Sequence, residues 1–304
     1  MRVLLAGATG VVGRALAPLL RERGHHVTAM VRSPEAAPGL DVDAVAVADA
    51  LDGAAVSAAV VPARPDVVVH QLTALRATGP AAFTDTARLR TEGTRNLVRA
   101  AQESGARRMV AQSIAFATAP QGPRVLAEDA PLYLDAPDPD WALTVRAVAD
   151  LERQVLGAAG LDGVVLRYGT LYGPGTLYEP GGRVGAAVAR GRLPLPRDAA
   201  GVTSFLHVED AARAAAAAVD ADAGGVVNVA DDDPAEAADW VPGYARLLGA
   251  PPPRTVPPEL AGRLLGWLLA HQLTAMRGAA NDRARQSLGW KPLTPSWRTG
   301  LDPR

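Results

Sequence analysis

The stretch that most limits what this chain can fold into is its start. A short apolar run, RVLLAG, leads into glycines at positions 7, 10 and 13, then RALAPLLRERG, then HHVTAMV. The order is strand, glycine turn, helix, strand: one βαβ unit with the glycines at its first turn. In such a GxxGxxG turn the early glycines permit a sharp bend and close backbone approach, and the last lets the helix pack on its strand. The helix start then offers free N–H groups and a positive dipole to a pyrophosphate. Gly7, Thr9, Gly10, Val11, Val12 and Gly13 are therefore expected to hold a dinucleotide, the plainer alternative being a purely structural turn.

The pattern continues. DAVAVADA and PDVVVHQLT read as strands, TRNLVRAAQESG as an amphipathic helix, and ARRMVAQSIA and LDGVVLRYGTLYG as strands ending in polar or glycine-rich loops. Continuous apolar strands alternating with helices predict an α/β fold, a doubly wound parallel Rossmann sheet covered on both faces. After residue 175 the chain becomes loop-rich, with one helix (VEDAARAAAAAV), one short strand (GGVVNVA) and proline-rich connections. The expected division is a nucleotide domain over 1–175 and a smaller α+β substrate lobe over 176–304, with the chain free to cross between them.

Composition excludes more than it assigns. A net charge of −1 gives no electrostatic footprint for nucleic acid or an anionic membrane. With no cysteine, disulfides, thiolate metal sites and cysteine nucleophiles are all ruled out, and no metal site is expected. MRVLLAGATG runs straight into glycines, so it reads as a buried strand and not a signal peptide. The tract LAGRLLGWLLAHQL is interrupted by Arg263 and too short to span a bilayer, so a cytoplasmic protein is expected. Abundant alanine, arginine, glycine and proline reflect high-GC coding sequence.

Seven stretches, GATGVVGRAL, PDVVVH, EGTRNLVRAA, LRYGTLYGPGT, FLHVEDAARA, VVNVADDDP and SLGWKPLTPSWRTGL, stand in the order and spacing of one family. The chain resembles, over nearly its whole length, the extended short-chain dehydrogenase/reductases, the NAD(P)-dependent epimerase/dehydratase group. The resemblance implies hydride transfer assisted by a tyrosine that handles the carbonyl proton and a lysine four residues on that lowers its pKa and holds the ribose, with a serine and often an asparagine as helpers. Counting back from Glu152, which matches the family's glutamate, puts Thr144 in the tyrosine's place and Val148 in the lysine's. A register using Arg146 has no tyrosine at the right spacing. Ser113 survives in the family's serine pair while Ile114 takes the neighbouring place, Gly93 and Thr94 are kept while Arg90 replaces the asparagine, and Leu72 and Thr73 alter the wall near the nicotinamide.

Three readings follow: a reductase that obtains its proton elsewhere, a non-catalytic nucleotide sensor, and a nucleotide-sugar epimerase or dehydratase. The missing pair counts most against the third. A carbonyl beside a phenol hydroxyl carries its own donor, and the combination resembles tailoring ketoreductases of aromatic antibiotic pathways, of the simocyclinone ketoreductase type. The expected activity is thus reduction of a ketone on a polycyclic aromatic polyketide, with the proton partly from the substrate and with Ser113, His207 and Tyr168 as the candidate catalytic groups. His207 has a structural reading as the orienting residue of a helix start, and Tyr168 and Tyr172 either pack beside the cofactor or touch substrate. Asp49 is placed on the adenine, as the family uses an aspartate there, with a helix N-cap as the other reading. Asp231 to Asp233 read as an exposed acidic turn, and Trp267, Trp290 and Trp297 as core anchors. The second strand ends at Val31, where an NAD-selective site would place an acid. Arg32 follows instead, with Arg14 just past the glycines, and two guanidinium groups suit a 2′-phosphate, so the expected cofactor is NADPH, with NADH as the alternative.

Overall fold

Leu4, Leu5, Val68, Val69, Met109 and Val110 are all fully buried, and a strand can bury consecutive side chains only where the sheet is covered on both faces. The computed structural model, which describes residues 1–74 and 81–302, shows that sheet. Its seven strands are β1 (Arg2–Ala6), β2 (His26–Val31), β3 (Ala44–Val47), β4 (Val67–His70), β5 (Arg108–Ile114), β6 (Asp162–Tyr168) and β7 (Gly225–Val229). All pair in parallel, in the order β7-β6-β5-β4-β1-β2-β3. The order reverses between β1 and β4, and open parallel sheets take their ligands at the carboxyl edge of such a switch point.

On one face lie α1 (Val11–Glu22) and the helix Val208–Asp220, which share a core with β1, β2 and β6. The second helix buries Ala211, Ala212, Ala214, Ala215, Ala216 and Ala218, so small side chains bring its backbone close to the sheet and to α1. On the other face lie α2 (Gly53–Ala63), α4 (Thr94–Ser104) and α5 (Pro139–Leu156), around Leu97, Leu151 and Val155. The chain segment ahead of α4 is helical from α3 (Ala81–Arg88) through a π-helical turn, Leu89–Gly93.

The smaller body has its own aromatic core of Tyr172, Tyr178, Phe205, Trp240, Tyr244 and Trp297. It is not one contiguous piece: Val208–Asp220 and β7, predicted within the second lobe, belong to the nucleotide body. The short run VVNV pairs only with β6 and forms the sheet edge, which its sequence alone does not distinguish from a lobe strand. Asp210 ties the C-terminal segment down: its carboxylate accepts from the Leu293 and Thr294 amides at 2.8 and 2.9 Å, and Trp290 donates to its carbonyl at 3.1 Å. Trp290 and Trp297 are buried core anchors, whereas Trp267 is only half-buried. Among the described residues no helix is long and apolar enough to cross a membrane.

The acidic turn corrects an expectation. Asp231 is only 2% exposed, because its amide donates to the Phe205 carbonyl at 2.7 Å and the turn folds beneath that strand. Burial, reinforced by Asp233 and Asp232, pushes its carboxyl up to about 8. His70 is buried too, and burial together with the Arg90 cation pushes its imidazole down to about 4. Its Nδ1 accepts from the Leu72 amide at 3.2 Å, so Nε2 carries the proton and donates to Thr94 Oγ1 at 3.1 Å.

The two groups oppose each other in linkage. Below pH 6.5 the unfolded chain protonates histidine while folded His70 stays neutral, so this group's contribution is full above 6.5 and is lost as pH falls to about 4. Folded Asp231 keeps a proton that the unfolded chain releases, so its contribution is full below about 3.8 and is lost as pH rises to about 8. Urea unfolding across this range is expected to show the gap between wild type and His70→Gln widening from pH 4 to 6.5, by about 3 kcal/mol in total. The gap between wild type and Asp231→Asn should shrink over the same interval. Parallel curves for either variant would contradict the assigned protonation state.

Candidate active site

The glycine turn leaves no room for side chains. Gly7 has φ +96°, and a Cβ there would lie 2.7 Å from the Gln71 backbone, which crosses over it on leaving β4. A Cβ on Gly13 would collide with the Gly7 carbonyl oxygen, so α1 sits directly on the end of β1. Gly10 caps α1 without a side-chain acceptor, which leaves the first-turn N–H groups of Val11 and Val12 for an anion. Val12 itself is buried in the core, so its part in holding a phosphate falls to its backbone. Gly175, at φ +76°, lies against Val11, and its Cβ would come within 2.8 Å of Val11 Cγ1; the loop after β6 therefore closes over the helix start.

Arg32 is exposed and makes no ion pair among the described residues, and Arg14, also exposed, donates to the Thr9 carbonyl at 3.2 Å. No acid stands at the end of β2. Asp49 is exposed and accepts from the Leu51 amide at 2.9 Å, while the cap of α2 is Asp52, which accepts from Ala54 and Ala55. Asp49 is thus not the helix cap. Leu72 and Thr73, half-buried, continue from the segment that crosses Gly7. These residues form a cradle that fits a nicotinamide dinucleotide, with backbone N–H groups for its pyrophosphate and guanidinium groups beside β2.

The candidate proton handlers are engaged elsewhere. Ser113 is fully buried and donates to Glu152 Oε1 at 2.8 Å. Arg167 holds the same carboxylate from both sides, Nε to Oε1 at 2.8 Å and Nη2 to Oε2 at 2.7 Å. Tyr168 is 1% exposed on the opposite face of the sheet, accepts from Gln71 Nε2 at 3.2 Å and donates to the Ala211 carbonyl at 3.4 Å. Burial pushes its phenol well above the ordinary range. His207 caps the helix Val208–Asp220 through Nδ1, packs its edge on Tyr172 at 5.3 Å, and has Nε2 2.6 Å from where a Cβ on Gly173 would lie. Tyr172 is fully buried. All three expected catalytic residues already make bonds within the framework, Ser113 to Glu152, Tyr168 to Gln71 and the Ala211 carbonyl, and His207 to the Glu209 amide.

What lines the altered positions is apolar. Thr144 is 6% exposed with its hydroxyl donated to the Asp140 carbonyl at 3.0 Å, and Val148 is fully buried. Ile114, Val145, Val148 and Trp141 form one cluster edged by Phe116, Tyr133 and Trp267. Phe116 stacks on Trp141 at 6.1 Å, and Trp267 stacks on His271 at 4.7 Å beside Tyr133. This aromatic wall was not foreseen. Its members are scattered over 150 residues, and only the apolar replacements at 114 and 148 hinted at it. Arg90 was foreseen only as a departure; the structure buries it to 4% exposure beside His70 and Glu152.

The NAD dependent epimerase/dehydratase family model matches residues 3–230. A "3-diazoavenalumate denitrifying reductase" of a Streptomyces species is 65% identical over 304 residues, 99% of each chain. The fold is similar to that of the UDP-glucose 4-epimerase of Thermotoga maritima, with a TM-score of 0.76 at 18% identity, covering 99% of this chain and 96% of that one. It is equally similar to a human epimerase family protein solved with NADPH, with a TM-score of 0.76 at 22% identity, covering 99% and 98%. A glycine cradle at the switch point of a seven-stranded parallel sheet, together with a family match over most of the length, makes this chain a member of the NAD-dependent epimerase/dehydratase family and an NAD(P)-dependent oxidoreductase.

Proposed function

We propose that this chain is an NADPH-dependent reductase that passes a hydride to an aromatic electrophile needing no proton from the protein, best fitted by an aryl diazonium that leaves as dinitrogen. The observation that carries this reading is the apolar wall of Ile114, Val145 and Val148 where the family keeps its acid. Bound NADPH supplies the hydride. A ketone gaining a hydride must also gain a proton, and the places of the family's acid pair hold Thr144 and Val148, the phenol of Tyr133 lying only at the cluster's edge. Ar–N₂⁺ gaining a hydride gives Ar–H and N₂: a C–H bond forms, the C–N bond breaks, the diazonium is reduced and the charge balances with no proton consumed. The name of the 65% identical Streptomyces relative describes such a denitrifying reduction.

Reactivity supports the same reading. Aryl diazonium ions couple with phenols and amines, so a tyrosine and lysine beside such a substrate would themselves be attacked. Thr144 and Val148 are inert to it, and the whole chain has no cysteine and one lysine, Lys291. The partly exposed aromatic rings of Phe116 and Trp267 at the cluster's edge suit a flat ring, with Tyr133 beside Trp267 rather than at the places of the family's acid pair. They suit fused rings as well, and this favours the second reading: a polycyclic aromatic ketone whose own phenol hydroxyl supplies the proton.

With 3-diazoavenalumate as test substrate, one N₂ is expected for each NADPH oxidised, read by ¹⁵N mass spectrometry against absorbance. Thr144→Ala is expected to keep its rate within about tenfold, short of the 10²–10⁴ lost with a general acid. Absence of N₂ release, with a peri-hydroxy ketone reduced far faster than its O-methyl ether, would move the assignment to the second reading. NADPH oxidation by neither substrate would leave the sensor role.

Arg32 and Arg14 carry the choice of NADPH. Arg32→Ala is expected to weaken NADPH binding by about tenfold or more, the order of one charge-assisted bond, and to leave NADH nearly unchanged in fluorescence titrations. Equal losses for both cofactors would remove the 2′-phosphate from the argument.

A further inference from the structure

We infer that Arg90 is the docking group for a carboxylate on the substrate of the reductase proposed above. The inference rests on that reading for the word substrate, but its observations are independent. Arg90 is 4% exposed, and its guanidinium makes no hydrogen bond or ion pair among the described residues. Burying a cation without a partner destabilises a fold, and such a group is retained where something else supplies the partner. The nearby acid, Glu152, attracts the Arg90 charge but makes no bond to it: both its oxygens are held by Arg167, and one also by Ser113. The other neighbour, His70, presents a neutral ring. Burial lowers the Arg90 guanidinium only to about 10, so it stays charged at neutral pH.

Its place in the fold says what kind of partner can reach it. Thr94 bonds His70, the last residue of β4, and Arg90 lies one turn nearer the start of that helical run. The run leads down to the start of β5, antiparallel to the strands, so Arg90 stands beyond the carboxyl end of β4, where such sheets take ligands. It sits on the π-helical turn Leu89–Gly93, a rare insertion found frequently at functional sites. It belongs to the α4 and α5 face, whereas the phosphate cradle of α1, with Arg14, belongs to the other. A guanidinium fork matches a carboxylate with two parallel bonds. The apolar cluster of Ile114 and Val148 flanks the same face of α5, whose next turn carries Glu152.

The test is binding, without turnover. Calorimetric titration of 4-hydroxycinnamate and its methyl ester into the NADP⁺-loaded protein should show the acid binding at least tenfold more tightly than the ester. Arg90→Met should abolish that preference, weakening the acid at least tenfold and the ester less than twofold, with NADP⁺ affinity within twofold of wild type. Arg90→Lys should restore part of it. Ligand-free Arg90→Met should melt at or above the wild-type temperature, since an unpaired buried charge is gone. No preference for the acid in wild type, equal losses for acid and ester, or a parallel loss of NADP⁺ binding would overturn the inference; so would a lower melting temperature restored by Arg90→Lys. A failure of the diazonium reading alone would appear in turnover and leave these titrations as expected.

Discussion

Gly13 meets the carbonyl oxygen of Gly7 so closely that one added carbon would collide with it, and the rest of the nucleotide site follows from that contact. It seats α1 on the end of β1 and fixes where the helix N-terminus points. Gly7 in turn lets the backbone leaving β4 pass over it, so three segments meet with no side chain between them. What locates the third segment is His70, held neutral between the Leu72 amide and Thr94. A buried histidine thus orients the wall of a cleft that glycines make possible. Neither arrangement survives a change in the other, because a wall displaced by a Cβ at Gly7 would break the hydrogen bonds of His70.

The face toward α5 holds two buried arginines in contrasting states. Arg167 is fully matched, with two bonds to Glu152, one to the Glu128 carbonyl at 3.1 Å, and Ser113 completing the carboxylate. Such a set contributes little net stability against apolar replacements, but losing one member strands a buried charge and costs about 3–5 kcal/mol. This explains why Ser113 and Glu152 persist where the neighbouring acid positions have become Ile114, Thr144 and Val148. Ser113 serves the framework through Glu152, while Ile114 beside it packs with Trp141, Val145 and Val148 of α5. Arg90 is the opposite case, a buried guanidinium drawn toward Glu152 but with no hydrogen-bonded partner among the described residues.

Much of this was legible in the residues. The glycine spacing gave the βαβ unit, apolar runs gave the strands, and Arg32 after Val31 gave the absence of an acid at β2. The side chains at 113 and 114 were harder. Strand alternation puts consecutive residues on opposite faces, but what Ser113 meets depends on Glu152, 39 residues further along the chain, itself held by Arg167. The edge strand β7 was read as part of another lobe because a run as short as VVNV fits either sheet. Asp231 looked exposed because three successive aspartates in a turn are usually solvated; the hydrogen bond to Phe205 that pulls it under is tertiary and leaves no local trace.

The buried Arg90 cation and the apolar wall together impose an orientation on the proposed substrate. An aryl diazonium that also bears a carboxylate has opposite charges at its two ends. Arg90 attracts the anionic end and repels the diazonium, so the reacting end lies away from it, against the aromatic wall. There a cation is favoured by the partly exposed rings of Phe116 and Trp267, by about 0.5–2 kcal/mol for each ring it meets. The same wall excludes water, which attacks aryl diazonium ions and would compete with hydride transfer. Restoring the family's tyrosine and lysine would add polar, nucleophilic groups to this surface, returning both water and a coupling partner. In this reading the missing pair follows from the chemistry: the electrophile that needs no acid also couples with a phenol or amine held at its reacting end, where this chain has Thr144 and Val148.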